Sequence, residues 1–323
     1  MSSERVREQV RAGGLLTAEP PRPVLVMLSG GRDSTCLLDI AVALLGAQAV
    51  SALHVNYGLR EQADADERRC QELCQGLDVQ LELARARERA DSEPGNLHAW
   101  ARELRYAEAH RLAAPQHALI ATGHTASDQV ETILYRLAAS PGRRALQGMA
   151  AREGPLVRPL LGLTREQTTA YCVARGLRWN EDNSNDDMSF ARARVRHALV
   201  PALRSVHPAA EANVLRTAAL LREETELLDA LVEQELAGAQ HIAIARLREL
   251  PPALARMVVV RLAENATGRY VPQAGDRVRE LLDLAGRSPA GRGARAELHL
   301  GGQAGAVIEH GRLRMVELPP RER

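Results

Sequence analysis

The chain has 323 residues, 45% of them hydrophobic and 26% charged, and a net charge of +1. Its length predicts two domains of ordinary globular composition, and the near-neutral balance neither requires nor excludes a nucleic-acid partner. Aromatic residues make up only 2%, which argues against an extended stacking surface for single strands, and no apolar run reaches the ~18 residues of a membrane span.

Residues 1–20 read as a short helix and a Pro-rich lead-in. The opening MSSERVREQV is charged and lacks the apolar centre of a secretory leader, so a cytoplasmic location is expected. Five apolar residues, Val24 to Leu28, then run into Ser29-Gly30-Gly31-Arg32-Asp33-Ser34. This predicts a buried strand, a tight glycine turn and a helix over 34–46. Adjacent glycines remove the Cβ atoms that would keep a ligand from the backbone. Turn amides and the first helical N–H groups then converge on a spot suited to phosphate. Ser34 adds a hydroxyl, and Asp33 adds a carboxylate that can hold a divalent cation between phosphates. A strand–turn–helix connection with no ligand is the competing reading. The glycines do not follow the Walker or dinucleotide patterns, and all 42 residues counted as Lys or Arg are arginine.

A second strand is predicted over 49–55, leading into His54-Val55-Asn56-Tyr57-Gly58-Leu59-Arg60, then a helix over 61–76 and a third strand over 79–83. A polar linker, 84–95, precedes a helix over 96–112. Arg102 and Arg105 share a face there, either reaching for phosphates or simply solvated. A fourth strand, 118–122, leads into Gly123 to Thr132. Asp128 and Glu131 fall at the start of the next helix, where its N-terminus favours acids in any case. They also fall beyond a strand's C-terminal end, the ligand edge of an open parallel sheet. Apolar strands alternating with helices predict such a sheet, covered on both faces.

Residues 139–154 read as a loop long enough to cover a substrate, and 156–161 as strand-like. Thr164 caps a helix running to Arg175. Residues 181–187 carry four acids in seven positions and abut Phe190 to His197, a basic helix start predicted to end near Pro201. Arg192, Arg194 and Arg196 either neutralise those acids or meet RNA phosphates. A long amphipathic helix over 209–237 follows. Helices over 253–267 and 276–285, a loop over 286–293 with Arg287 and Arg292, and strands over 296–300, 305–309 and 312–317 complete the chain. The expected division is a catalytic domain over 1–205, a helical linker over 206–240 and a small domain over 241–323. Of the four cysteines, Cys70 and Cys74 are one helical turn apart and are predicted to be core. The absence of a C-x-x-C pair argues against an iron–sulfur or persulfide carrier.

Taken in order, these stretches resemble the tRNA(Ile)-lysidine synthases, a family of ATP pyrophosphatases. Ser29 to Ser34 matches their S-G-G-x-D-S loop. His54 to Arg60 matches H-V-N-H-G-L-R, with Tyr57 at the second histidine, and Ala101 to Tyr106 matches A-R-x-x-R-Y. Gly123 to Thr132 matches G-H-x-x-D-D-Q-x-E-T, with Ser127 at the first aspartate. Arg158 to Leu161 matches R-P-L-L, and Asp182, Ser184 and Asn185 match D-x-S-N. Arg192, Ala193 and Arg196 match R-N-x-x-R without its asparagine.

The resemblance implies an adenine nucleotide α-hydrolase-like fold. This is an α/β fold with an open, mostly parallel sheet and helices on both faces, followed by a helical linker and a small α+β C-terminal domain. It implies ATP and Mg²⁺ as cofactors, and tRNA(Ile) with a CAU anticodon and free L-lysine as partners, with no membrane. Family members are often dimers, so a homodimer is among the assemblies it admits. The expected reaction is adenylation of the anticodon cytidine, then displacement of AMP by lysine. Catalytic roles fall to Asp33, Asp128, Glu131, Arg102 and Arg105. Nucleotide contacts fall to Ser29, Gly30, Gly31, Arg32, Asp33, Ser34, His54, Asn56 and His124. Substrate contacts fall to Asp128, Glu131, Arg192 and Arg196, and metal contacts to Asp33 and Asp128. For His54 and His124, a structural hydrogen bond at a strand end is an equal reading. A further C-terminal domain of longer members is expected to be missing. A tRNA thiolase would need sulfur-delivering cysteines, an amidotransferase-type synthetase a glutaminase domain, and a non-catalytic tRNA-binding protein would not need Asp33.

Overall fold

The computed structural model describes residues 2–17, 22–58, 63–86, 97–140, 142–180, 188–287, 295–301 and 303–319. Leu59, Arg60, the acid-rich stretch with Asp182, Ser184 and Asn185, and Arg292 lie outside the described residues. The chain separates into two compact units, Met1–Leu221 and Arg222–Arg323.

The first unit is built on a six-stranded sheet. In chain order its strands are β1 (Val24–Met27), β2 (Val50–Asn56), β3 (Gln80–Arg85), β4 (Leu119–Ala121), β5 (Arg152–Glu153) and β6 (Leu156–Val157). Their spatial order is β3-β2-β1-β4-β6-β5. All neighbours are parallel except the β5–β6 edge pair. Every residue of β1 is buried, because successive side chains enter opposite cores. Val24 and Val26 join one cluster with α1 (Ser3–Ala12), α2 (Arg32–Leu45), α3 (Ala63–Gly76) and α6 (Arg165–Ala174). Leu25 and Met27 join the other, with α4 (Leu97–Ala113). The chain leaves β1 and β4 toward α2 and α5 (Ala126–Ala139) on either side of the point where strand order reverses. That crevice is where open α/β sheets bind ligands.

The structure departs from the sequence reading in three places. The expected 139–154 loop holds a 3₁₀ turn, Arg143–Gln147, and the edge strand β5. The basic helix does not end near Pro201. It runs as α7 (Ala191–Arg194), a π-helical stretch, Val195–Leu199, and α8 (Val200–Val206). There the Val200 N–H reaches the Val195 carbonyl, five residues back, and this widened turn just precedes Pro201, which lacks an N–H of its own.

The third departure is a strand too short to read from pattern, β7 (His241–Ala243). It pairs with β10 (Arg312–Glu317), beside β9 (Ala304–Glu309) and β8 (Arg295–Gly301), in an antiparallel sheet of the second unit. That sheet shares a core with two helices, Pro252–Thr267 and Val278–Arg287, including Leu262, Leu281 and Leu313. The long α9 (Ala210–Leu236) contains the boundary between the units. No described helix is long and apolar enough to cross a membrane.

Candidate active site

The glycine turn after β1 is shaped by backbone constraints. Gly30 has φ +82°, a conformation that favours glycine, and a Cβ there would lie 3.3 Å from Cys70 Sγ. Gly31 precedes α2 without any side-chain cap, so the first-turn amides face an approaching anion. The Ser34 hydroxyl accepts from the Ser29 N–H at 3.2 Å and donates to the Gly31 carbonyl at 2.9 Å. The loop closes on itself through that side chain. From β4, Gly123 packs against the loop backbone: a Cβ on it would stand 2.9 Å from the Asp33 carbonyl carbon and 3.0 Å from the Ser34 nitrogen.

Asp33 projects from the first turn of α2 into a clamp. Arg32 donates through Nε to Oδ1 and through Nη2 to Oδ2, both at 3.0 Å. The buried Thr168 hydroxyl, on α6, donates to Oδ1. Helix α6 is itself seated on α2: Tyr171 donates to Asp39 at 2.6 Å, and Arg175 donates to both oxygens of that carboxylate at 3.1 Å.

A second charged group forms where α5 begins. Thr125 and Asp128 make a capping box, with the Asp128 carboxylate accepting from the Thr125 N–H at 2.8 Å and from its hydroxyl at 2.9 Å. One turn on, Glu131 is buried among arginines from α6, α7 and the π-helical stretch. Arg196 approaches at 2.7 Å, Arg165 at 3.3 Å and Arg192 at 3.3 Å. The same three lie 3.5–3.8 Å from Asp128. Burial would raise the Asp128 pKa, but Arg192 and the Thr125 hydrogen bonds outweigh it and hold the carboxyl below its ordinary range. Beside it, burial lowers the His124 pKa to about 4 against the opposing pull of Asp128, so the ring is neutral at neutral pH. His124 Nδ1 lies 2.9 Å from the Thr122 hydroxyl.

The remaining residues singled out in the sequence have their own surroundings. His54 is buried with Nδ1 2.9 Å from the Leu28 carbonyl, a bond that ties β2 to the end of β1. Asn56 donates to Asp64 at 3.1 Å and to Glu67 at 2.9 Å, and accepts from the Gly58 N–H. Hydrogen bonds from Arg85 and Asn56 hold the Glu67 carboxyl below its usual range. Arg102 stacks 4.6 Å above the Tyr106 ring, with Arg105 at 5.9 Å. Arg102 and Arg158 both line a cavity of about 470 Å³ between α4 and the β5–β6 edge. The four cysteines are free and buried, and burial pushes Cys70 and Cys74 up to about 12.

Two departures from the family pattern have local explanations. Tyr57 donates to the Ala101 carbonyl at 3.0 Å and meets Trp100 edge-on, so it fastens the start of α4. Ser127 Oγ accepts the Arg165 N–H at 3.2 Å, joining α5 to the first residue of α6. Arg165 and Thr168 were not among the candidate residues. The only sequence signal nearby is the T-x-x-Q spacing of Thr164 and Gln167, which form a capping box and mark where α6 starts but not what it touches. Among the described residues no group of three or more His, Cys, Asp or Glu side chains is placed to hold a metal.

The PP-loop domain family matches residues 4–203. The tRNA(Ile)-lysidine synthase of Pseudomonas fluorescens (strain Pf0-1) is 41% identical over 222 residues, 66% of this chain and 49% of that protein. The tRNA(Ile)-lysidine synthase of Rhodococcus erythropolis (strain PR4 / NBRC 100887) is 38% identical over 255 residues, 78% of this chain and 76% of that protein. The chain thus spans about half the length of the Pseudomonas fluorescens relative. Among solved structures, the U34-tRNA thiolase NcsA from Methanococcus maripaludis shares the fold, with a TM-score of 0.55 at 14% identity over 68% of this chain and 78% of that one.

Proposed function

This chain belongs to the tRNA(Ile)-lysidine synthase family of PP-loop proteins, and from that premise we propose that it ligates free L-lysine to C2 of the wobble cytidine of tRNA(Ile) with a CAU anticodon. The cytidine O2 attacks the α-phosphorus of ATP, a P–O bond to pyrophosphate breaks, and the base is left adenylated. The neutral ε-amine of lysine then attacks C2, the C2–O2 bond breaks, AMP departs and the amine loses a proton. The observation that supports this reading best is the meeting of two groups at one sheet crevice. An uncapped glycine loop packs against Gly123, and the acid–arginine cluster begins five residues further on.

Each group suits one half of the reaction. The amides of Ser29 to Ser34, with the Ser34 hydroxyl, would hold the departing pyrophosphate, where fixed dipoles act on charge as it develops. His54 supports the loop from β2 through its bond to the Leu28 carbonyl, whereas the bonds of Asn56 run to Gly58, Asp64 and Glu67 beyond β2. Asp33, whose Oδ2 accepts only from Arg32 Nη2 among the described residues, would hold Mg²⁺, which would supply charge stabilisation for the leaving group. Asp128 suits a metal less well, since Thr125 takes Oδ2 and three guanidinium groups crowd Oδ1.

We therefore assign Asp128 and Glu131 to the amino-acid side. A cluster of both signs suits a zwitterion, with Arg192 and Arg196 toward its carboxylate and Asp128 toward its amine. Nearby arginines disfavour an ammonium and so favour the neutral nucleophile. Arg102 and Arg105 are assigned to tRNA phosphates or the adenylate. Residues 1–205 would carry the chemistry, 206–240 link to the second unit, and 241–323 contribute to tRNA recognition.

Incubation with ATP, cognate tRNA and lysine is expected to release AMP and raise the cytidine mass by one lysine less one water. ATP–pyrophosphate exchange should vanish in Asp33→Ala. An unchanged base mass with the wild-type chain would overturn the assignment.

A further inference from the structure

A threonine inside a helix ordinarily turns its hydroxyl back to the carbonyl three or four residues earlier. Thr168 has that acceptor at hand, the Arg165 carbonyl at 3.0 Å, yet its hydroxyl is closer to Asp33 Oδ1. It carries one proton, and a carboxylate is the stronger acceptor. Thr168 is wholly buried, and the Tyr171–Asp39 and Arg175–Asp39 contacts seat its helix against α2. The hydroxyl is therefore delivered to Asp33 from a fixed platform.

The two oxygens of Asp33 are consequently unequal. Among the described residues, Oδ1 accepts from Arg32 Nε, which also reaches Thr168 Oγ1 at 3.2 Å, and from Thr168, whereas Oδ2 accepts from Arg32 Nη2 alone. A carboxylate oxygen has room for about two such bonds. Oδ1 is then filled and Oδ2 retains capacity. We propose that Thr168 is a positioning residue of the nucleotide site: by occupying Oδ1 it fixes the Asp33 carboxylate so that Oδ2 is the oxygen presented to a magnesium–nucleotide complex. This rests on the reading of the loop as an ATP site, and it assigns to α6 a part in nucleotide binding that the glycine loop alone does not reveal.

The test compares wild type, Thr168→Val and Thr168→Ser by calorimetric titration with ATP at a series of magnesium concentrations, alongside melting temperatures without nucleotide. Valine keeps the buried shape and removes the donor, whereas serine keeps the donor. Thr168→Val is expected to need about five-fold more magnesium for half-maximal ATP binding. Thr168→Ser is expected to match the wild type even if its melting temperature drops. An unchanged magnesium requirement in Thr168→Val, or a Thr168→Ser shifted as far as Thr168→Val, would overturn the proposal. Should Thr168→Val not fold, Thr168→Ala carries the same comparison. A wild-type chain that binds no ATP overturns the function itself, whereas wild-type binding with no effect at Thr168 overturns only the role of that residue.

Discussion

Glu131 and Arg196 meet in a two-point contact, Nε to Oε1 at 2.7 Å and Nη2 to Oε2 at 3.1 Å, although 65 residues separate them. The glutamate side chain is only 3% exposed, and it also receives Arg165 and Arg192. Removing it would leave three guanidinium groups facing one another. Since all three retain some solvent contact, the cost should lie near the lower end of that for breaking a buried pair. Glu131→Ala is expected to lose about 3 kcal/mol of stability in urea unfolding, and Glu131→Gln less.

Gly123 has no room for a side chain, because the atoms a Cβ would strike belong to the loop backbone at Asp33 and Ser34. Gly123→Ala must displace that backbone by a few tenths of an ångström. The variant should fold, while its apparent affinity for ATP falls about 10- to 100-fold, since small misplacements at a binding loop are costly. Nucleotide titration, with a melting curve as control, reads both effects.

His124 gives the fold a pH dependence. Its folded pKa of about 4 lies below its ordinary 6.5, so the unfolded chain binds the additional proton. The stability that neutral His124 contributes is complete above its unfolded pKa of 6.5 and drains as pH falls toward about 4. Below that value the folded form is protonated too and the loss levels off. Melting temperatures between these limits should fall less steeply for His124→Asn than for the wild type. Asp128 titrates in the same sense but lower, since its folded pKa is also depressed.

Asp128 offers a separate kinetic prediction. Asp128→Ala is expected to raise the KM for lysine at least ~10-fold while the KM for ATP moves little, since the change removes one charged partner. The carboxylate that accepts from the Thr125 N–H and hydroxyl is lost as well, although the Asp128 N–H keeps its bond to Thr125 Oγ1, so a stability loss of about 1 kcal/mol should accompany it. Unchanged lysine dependence in steady-state assays would remove Asp128 from the amino-acid site.

What could be read before the fold was known follows the range of the forces involved. The glycine loop, strands β1 to β4 and the Thr164 cap are local, written in apolar runs and in residue spacings of three or four. Partners across the molecule left no such trace. Arg192 and Arg196 each pair with Glu131 more than 60 residues away, a partner that their own stretch does not announce. Thr168 reaches Asp33 across 135 positions, and nothing in its own helix announces an acceptor there. Strand β7 escaped because three residues cannot establish a period, and its pairing partner lies about 70 residues downstream.

The π-helical turn at Val195–Leu199 makes this part of the chain sensitive to counting. A wide turn holds roughly one residue more than an α turn, and each residue of an α-helix advances it by about 100°. Deleting one residue there would let the helix close into regular α form, and would swing everything after it by that angle relative to Arg192. Conservative replacement within the turn should be tolerated far better than any change in its length. Alignments and engineered chimeras that cross this segment must therefore preserve its number of residues before its identities.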